Sequence, residues 1–397
     1  MTKNLNTRLT KLGIYTAALL MMGAIGISSS LSVIGEHFPD ISQTMVTSLI
    51  AVPCLIVIPV TVLSGFLMDC FSKKTLLIWG ILFFLAGGVL PAFLSSFTGI
   101  LILRAVFGIG VGLIQTLTSA IIAELYEGAE KASIQGNATS AQMIGCIIMS
   151  LIGGRLGTMS WNKVFFVHLL AVISLICVTA FVPHTVPKKQ KASRTDVSRS
   201  GSALTPMAWF WAAACMLYFI VAQVYSNSLS FLMTEKGIGN AAQSGNSLAF
   251  FALGGFLMGI LFGRIIKYLR KVTLSAGFLI LAAAYFILAY SSSLPLIFVG
   301  STLAGISVSA TMACIMVEAG NSVPASQSDK AVAIATCFQN VGMFLSPYLM
   351  TPAGNAINGG KNSNFSIFII SALIILLFAA GAAVWGIRQN RKQTENI

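Results

Sequence analysis

Long apolar runs broken by short polar hinges dominate this sequence. Each run holds roughly 20 residues, the length an α-helix needs to cross the hydrocarbon of a bilayer. Spans one to six are predicted at Leu12–Ile34, Met45–Met68, Thr75–Leu94, Gly99–Ala123, Ile134–Leu156 and Val164–Val182. Spans seven to twelve are predicted at Pro206–Met233, Ser244–Ile266, Val272–Tyr290, Pro295–Val317, Ala331–Met350 and Phe365–Ile387. Between the two sets lies a polar stretch with Lys188, Lys189, Lys191, Arg194 and Arg199, which has the charge and Ser content of a flexible linker. The pattern predicts an all-α integral membrane protein of twelve helices. Residues 1–183 form one six-helix bundle, 184–205 a linker and 206–397 a second bundle. The alternating pattern of a membrane barrel is absent.

Composition narrows the class. Only 9% of the residues are charged and 56% are apolar, against about 25% charged in a soluble domain. Too few charges exist to cover a water-facing surface. The net charge of +13 raises the question of nucleic acid. The basic residues, however, sit in short loops between apolar runs, which reads as membrane topology and not as a phosphate-binding face. With the N-terminus in the cytoplasm, Arg155, Lys163, Lys236 and Lys361 fall outside, Arg104 falls within a span, and the rest of the 24 Lys and Arg residues face the cytoplasm. Both ends and the linker are therefore expected on the cytoplasmic side of a plasma membrane. The seven Cys lie mostly inside apolar runs without a C-x-x-C pair, so they read as small buried hydrophobes. The first run is too long for a signal-peptide core and is expected to remain as a helix.

The two halves read as copies. Ser30-Leu31-Ser32 falls on Ser228-Leu229-Ser230, and Gly65, Lys73, Thr75 and Leu76 fall on Gly263, Lys271, Thr273 and Leu274. Gln142 and Gly145 fall on Gln339 and Gly342, with the shift one residue smaller. A nearly constant offset at three separate places marks a parallel repeat, and a site between such repeats lies near mid-membrane.

One polar hinge stands out: Gly65-Phe-Leu-Met-Asp69-Cys-Phe-Ser72-Lys73-Lys74. Backbone polar groups cannot stay free in lipid, so a break this short must turn at the membrane surface. Its spacing resembles the signature loop between helices two and three of the major facilitator superfamily of secondary transporters, with Ser72 where that family usually has Gly. The resemblance implies that Asp69, Lys73, Lys74 and Gly65 gate the cytoplasmic side, Asp69 meeting the start of span eleven near Asp329-Lys330. The same residues also read as interfacial charges that only fix topology. A carboxylate at the end of span two opposes its own helix dipole, which points to an outside partner. The second copy carries Lys267 in place of the acid.

Span four holds Arg104, two turns from its outer end, followed by Gly108, Gly110 and Gly112. A charge inside hydrocarbon costs several kcal/mol unless it meets water or a partner. Gly108 and Gly112 share one face and permit close helix approach. The run resembles the superfamily's span-four motif, whose Arg is linked to proton movement in proton-coupled members. An Arg snorkelling to the surface is the plainer alternative. Span five keeps Gly145 and Gly153-Gly154 but lacks the Pro of the motif found in drug–proton antiporters.

Span one has no carboxylate; Glu36 and Asp40 follow it. Glu124 and Glu318 end spans four and ten and could take up a proton if partly buried, or act as solvated charges. Arg104, Gln115, Gln142, Gln223, Tyr225, Asn227, Gln339 and Asn340 are the substrate-cavity candidates, because polar side chains avoid lipid. Some of them could equally bond neighbouring helices. Ser28, Ser29, Thr118, Asn246 and Thr311 belong to the same set. His37, His168 and His184 read as isolated. The sequence shows no metal-spaced acids, no nucleophile–His pair and no phosphate-cradling loop. Hence no enzyme activity, cofactor or metal is expected. The resemblance implies alternating access by a monomer, with protons exchanged for a small organic molecule in efflux. Uptake of an organic or anionic solute anchored by Arg104 is the alternative.

Overall fold

The computed structural model describes residues 7–184, 204–269, 272–324, 327–359 and 363–394. Residues 185–203, the bulk of the predicted linker, lie outside that set, as do the side chains of Lys267, Lys271, Arg388, Arg391 and Lys392.

Among the described residues no strand occurs, and twelve helices are long and apolar enough to cross a membrane. They are α1 Arg8–His37, α2 Gln43–Leu67, α3 Lys73–Phe93, α4 Phe97–Leu125, α5 Gly128–Met159 and α6 Lys163–Phe181. The second half continues with α7 Pro206–Glu235, α8 Ala241–Ile265, α9 Val272–Tyr290, α10 Leu294–Asn321, α11 Ser328–Ile357 and α12 Asn364–Val384. Helices are the expected answer in lipid, because each segment satisfies its own backbone groups. Several run past the apolar pattern. α5 starts at Gly128, six residues before the predicted span, because Ala129, Glu130, Lys131 and Ala132 are good helix formers once the helix is nucleated.

Local chemistry sets the ends. The Ser72 hydroxyl accepts from the Thr75 N–H at 3.1 Å and so caps α3. This gives Ser72 a reason to stand where the hinge pattern otherwise has Gly. Ser96 and Thr205 cap α4 and α7 in the same way. α7 stops at Gly237, which takes φ 64°. There the N–H groups of Gly237 and Ile238 return to the carbonyls of Thr234 and Met233, the bonding of a Schellman stop.

The chain divides into two compact units: residues 1–27 with 52–203, and residues 28–51 with 204–397. The end of α1 and the start of α2 thus belong to the second unit. The crossover follows a local weakness. Residues Leu20–Ser30 wind as a 3₁₀ helix, with Met22 at φ −97°, ψ 17°. Gly23, Gly26 and three successive Ser in this stretch explain the kink.

Apolar burial cannot drive helices together where the solvent is itself apolar, so close contact between small residues does. The same contacts recur in each unit. A Cβ on Gly145 of α5 would strike the Leu19 carbonyl of α1, and one on Gly342 of α11 would strike the Met216 carbonyl of α7. Gly108 of α4 abuts Pro53 of α2, while Gly305 of α10 abuts Phe251 of α8. The internal repeat is thus written in the packing, not only in the sequence.

Candidate functional site

The first unit buries a charge. One face of α4 carries Arg104, Gly108 and Gly112 at four-residue spacing, and that face meets α2. Gly108 lies against Pro53 and Ile56, and Gly112 against Val57 and Val60. Close approach seals the turn above the arginine, which is 0% exposed. Its guanidinium carbon sits 4.0 Å from the centre of the Phe107 ring, a cation–π contact that gains strength without water. Cys54 of α2 and His168 of α6 stand within electrostatic range. The snorkelling alternative does not describe this geometry, because the side chain stays inside the bundle.

His168, isolated in the sequence, joins this cluster in the fold. It is 0% exposed. Its ring lies edge-on to Phe107 at 4.9 Å and to Phe84 at 5.5 Å. Nδ1 lies 2.9 Å from the Phe165 carbonyl. Gly88 of α3 leaves the room its ring occupies, and Gly23 of α1 leaves room for Phe84. A polar ring in the middle of the charge-free run of α6 was the available signal.

At the hinge, charges are paired locally. Lys73 and Glu124 form an ion pair at 2.7 Å, each side chain 22% exposed. Glu124, a candidate proton acceptor by sequence, therefore has a fixed partner across α3 and α4. The Lys74 ammonium donates to the Thr179 carbonyl at 2.7 Å, so it caps the end of α6. Asp69 is half-buried, and Gly65 is exposed with open space where a Cβ would point. Glu318 is half-buried on α10.

The remaining cavity candidates scatter. In the first unit Gln115 is exposed and Gln142 half-buried. In the second unit Gln223 is buried at the break in α7. Tyr225 is committed to its neighbours: its hydroxyl donates to the Ser247 carbonyl at 3.0 Å and its ring stacks on Phe251 at 4.6 Å. Asn227 donates to Ser346 at 3.3 Å while its Oδ1 accepts nothing among the described residues. Asn340 donates back to Thr336 at 3.0 Å, and Gln339 reaches the Met343 sulfur at 4.0 Å. Tyr225 and Asn340 each donate to a backbone carbonyl, and Asn227 and Gln339 keep a buried amide oxygen to offer among the described residues.

The repeat-related serines form a seam in the second unit. Ser32 and Ser230, which the repeat superposes, share a hydrogen bond of 2.7 Å. Ser28 donates to the Ser226 carbonyl, and Ser230 to the Ser29 carbonyl at 3.0 Å. The seam continues from Gln43 to Asn364 at 2.7 Å and from Asn364 to Glu235 at 2.8 and 2.9 Å. Ser48 meets the Tyr348 hydroxyl at 2.8 Å. Sequence reasoning saw the Ser-Leu-Ser match as a repeat marker; folding turns it into a bonded pair.

Comparison with known proteins adds the family. The model of the Major Facilitator Superfamily matches residues 13–269 and 238–397. The multidrug transporter protein MdtP of Bacillus subtilis is 24% identical over 152 residues, 36% of this chain and 28% of that protein. The MFS-type transporter YceJ of the same organism is 24% identical over 242 residues, 60% of this chain and 62% of its own length. The matched stretches thus span less than two thirds of either relative. A bacterial homologue of the human lysosomal transporter Spinster, solved inward-facing and unoccupied, superposes with a TM-score of 0.73 at 16% identity, covering 98% of each chain. A family model spanning nearly the whole chain, on a fold of twelve helices with repeated internal packing, leaves one assignment: this chain belongs to the major facilitator superfamily of transporters.

Proposed function

We propose that this transporter works by alternating access and exports a small organic molecule across the cell membrane in exchange for protons. The observation that carries this reading is Arg104. A guanidinium enclosed in a membrane bundle costs several kcal/mol of solvation before its partners offset it, so its placement there points to a use beyond packing. A charge that must be neutralised, displaced or rehydrated in each cycle is a natural lever for proton coupling. The 3₁₀ stretch of α1 supplies a place to bend, and the serine seam supplies contacts that can open and close. The multidrug name borne by one relative agrees with export of organic molecules. In this reading both termini face the cytoplasm, the chain acts as a monomer, and the Gly65–Lys74 hinge regulates the cytoplasmic side.

Ethidium is a suitable first probe. Cells producing the chain should accumulate several-fold less ethidium than cells carrying an empty vector, and a protonophore should erase the difference. Equal accumulation with and without the chain, or a difference that survives the protonophore, would overturn proton-driven export.

A further inference from the structure

We infer that His168 is the proton-carrying residue that Arg104 answers to, and that it acts on the bend of α1. This rests on the proton-coupled reading above and names the group within it. The argument begins with the tautomer. Nδ1 faces the Phe165 carbonyl, which can only accept, so Nδ1 carries the ring proton of the neutral imidazole. Nε2 then presents a lone pair, and it has no hydrogen-bond partner among the described residues. The backbone carbonyls of Gly23 and Gly88 also act on the ring. They too can only accept. The hydrogen-bonding surroundings of His168 therefore suit an imidazolium, which donates from both nitrogens.

The charge surroundings suit the opposite form. Arg104 is the charged side chain that acts on His168. It reaches in from α4, with Phe107 in contact with both. Cys54 of α2 stands near Arg104, and α3 contributes Phe84 and Gly88, neither of them titratable. Two cations buried on either side of one aromatic ring repel. Hydrogen bonding and charge thus pull His168 in different directions, which is the arrangement of a two-state element.

The step is a simple one. A hydronium ion that reaches the site from one side gives its proton to the Nε2 lone pair: one O–H bond breaks, one N–H bond forms, the imidazole becomes imidazolium and a water molecule is left. The new N–H reaches for a carbonyl of Gly23 or Gly88, and Arg104 swings away from the second positive charge. Gly23 lies in the 3₁₀ stretch of α1, four residues before the point where the chain passes from one unit to the other. Loading the proton on α6 therefore pulls at the bend of α1. Return of the proton on the other side resets both groups.

The test uses the full chain in proteoliposomes with ethidium as probe. Wild-type flux should change at least tenfold between pH 5.5 and pH 8, while His168→Gln should change less than twofold across that range, whatever its absolute rate. His168→Asn serves if the first variant does not fold. In parallel, ¹⁵N-histidine NMR of the full chain in nanodiscs assigns the resonance that His168→Gln removes. That resonance should move between pH 4 and pH 9, and Arg104→Gln should displace its midpoint by at least one pH unit, a tenfold change in proton affinity. A pH-dependent wild type matched by an equally pH-dependent His168→Gln would overturn the role of His168 and leave proton coupling standing. A wild type whose flux ignores pH would remove the coupled reading and this inference together. A His168 resonance that stays still in both wild type and Arg104→Gln would also overturn it.

Discussion

The two halves of the molecule use one packing scheme and fill it differently. Gly108 in α4 and Gly305 in α10 occupy matching positions, 197 residues apart. Each presses on the backbone of the neighbouring helix, at Pro53 and at Phe251. One turn earlier the halves part company. The first places Arg104 there and the second places Ser301, and both side chains are 0% exposed. Ser301 closes onto its own helix, donating to the Ile297 carbonyl at 2.7 Å. A hydroxyl can be satisfied that way at little cost; a guanidinium with five donors cannot. The fold evidently needs the glycine in both halves and a charge in neither. What one half carries beyond the needs of packing is where transport chemistry should be sought.

The sharpest way to break this contrast is to exchange its two polar residues. Arg104→Gln should lower pH-driven ethidium flux at least about 100-fold, or about 2.7 kcal/mol of barrier. Ser301→Ala should stay within about threefold. Comparable losses in both would mean that the halves share the work. The glycines come next. Gly108→Leu and Gly305→Leu should each destabilise by about 1–3 kcal/mol or more through overpacking, read as a fall in Tm in detergent for both variants alike. A loss confined to one half would refute the common packing scheme.

Smaller effects sharpen the comparison. Replacing both Ser32 and Ser230 by Ala should cost about 1.2 kcal/mol, about 0.6 kcal/mol for each of two interhelical hydrogen bonds, Ser32 to Ser230 and Ser230 to the Ser29 carbonyl. A thermal melt checks it, and Ser32→Ala alone should cost about half as much, because Ser230 keeps its bond to the Ser29 carbonyl. Lys73→Ala breaks the ion pair with Glu124 and should cost about 0.2–1 kcal/mol, less at high salt. The smallest effect concerns Lys236, which donates to the Ala289 and Ser291 carbonyls. Its first-half counterpart is the uncharged Phe38. Burial holds the Lys236 ammonium below the usual lysine value of 10.5, with Glu235 acting the other way. The folded protein then releases this proton before the unfolded chain does, so stability rises as pH climbs toward 10.5. Wild-type Tm should gain slightly over Lys236→Met between pH 9 and pH 10.5; a relative decline would reverse the assignment.

Much of the architecture was legible before folding. Charge-free runs, the basic loops and the Ser-Leu-Ser repeat all follow from the cost of polar groups in lipid, which acts on each segment separately. Ser72 was legible only as a departure from a pattern; its capping bond to Thr75 had to be seen. Arg104 announced itself because a charge seven residues into a 29-residue apolar helix, far from Glu124 at its other end, has no local excuse. His168 did not, because imidazole is polar enough to matter and apolar enough to hide. The partner of Glu124 was hidden for a related reason: nothing in its own neighbourhood of sequence indicates that Lys73, 51 residues earlier, would pair with it.

Segment length, hydropathy and the repeat already determined that twelve helices would cross a bilayer in two related sets, since those properties depend on one helix at a time. Which polar side chains are enclosed, which are spent on neighbours, and which stand face to face depended on contacts between residues far apart in the chain. The meeting of Arg104, Phe107 and His168 is such a contact. It exists because glycines on α1, α3 and α4 let helices approach closely, and only the folded packing decides where that happens.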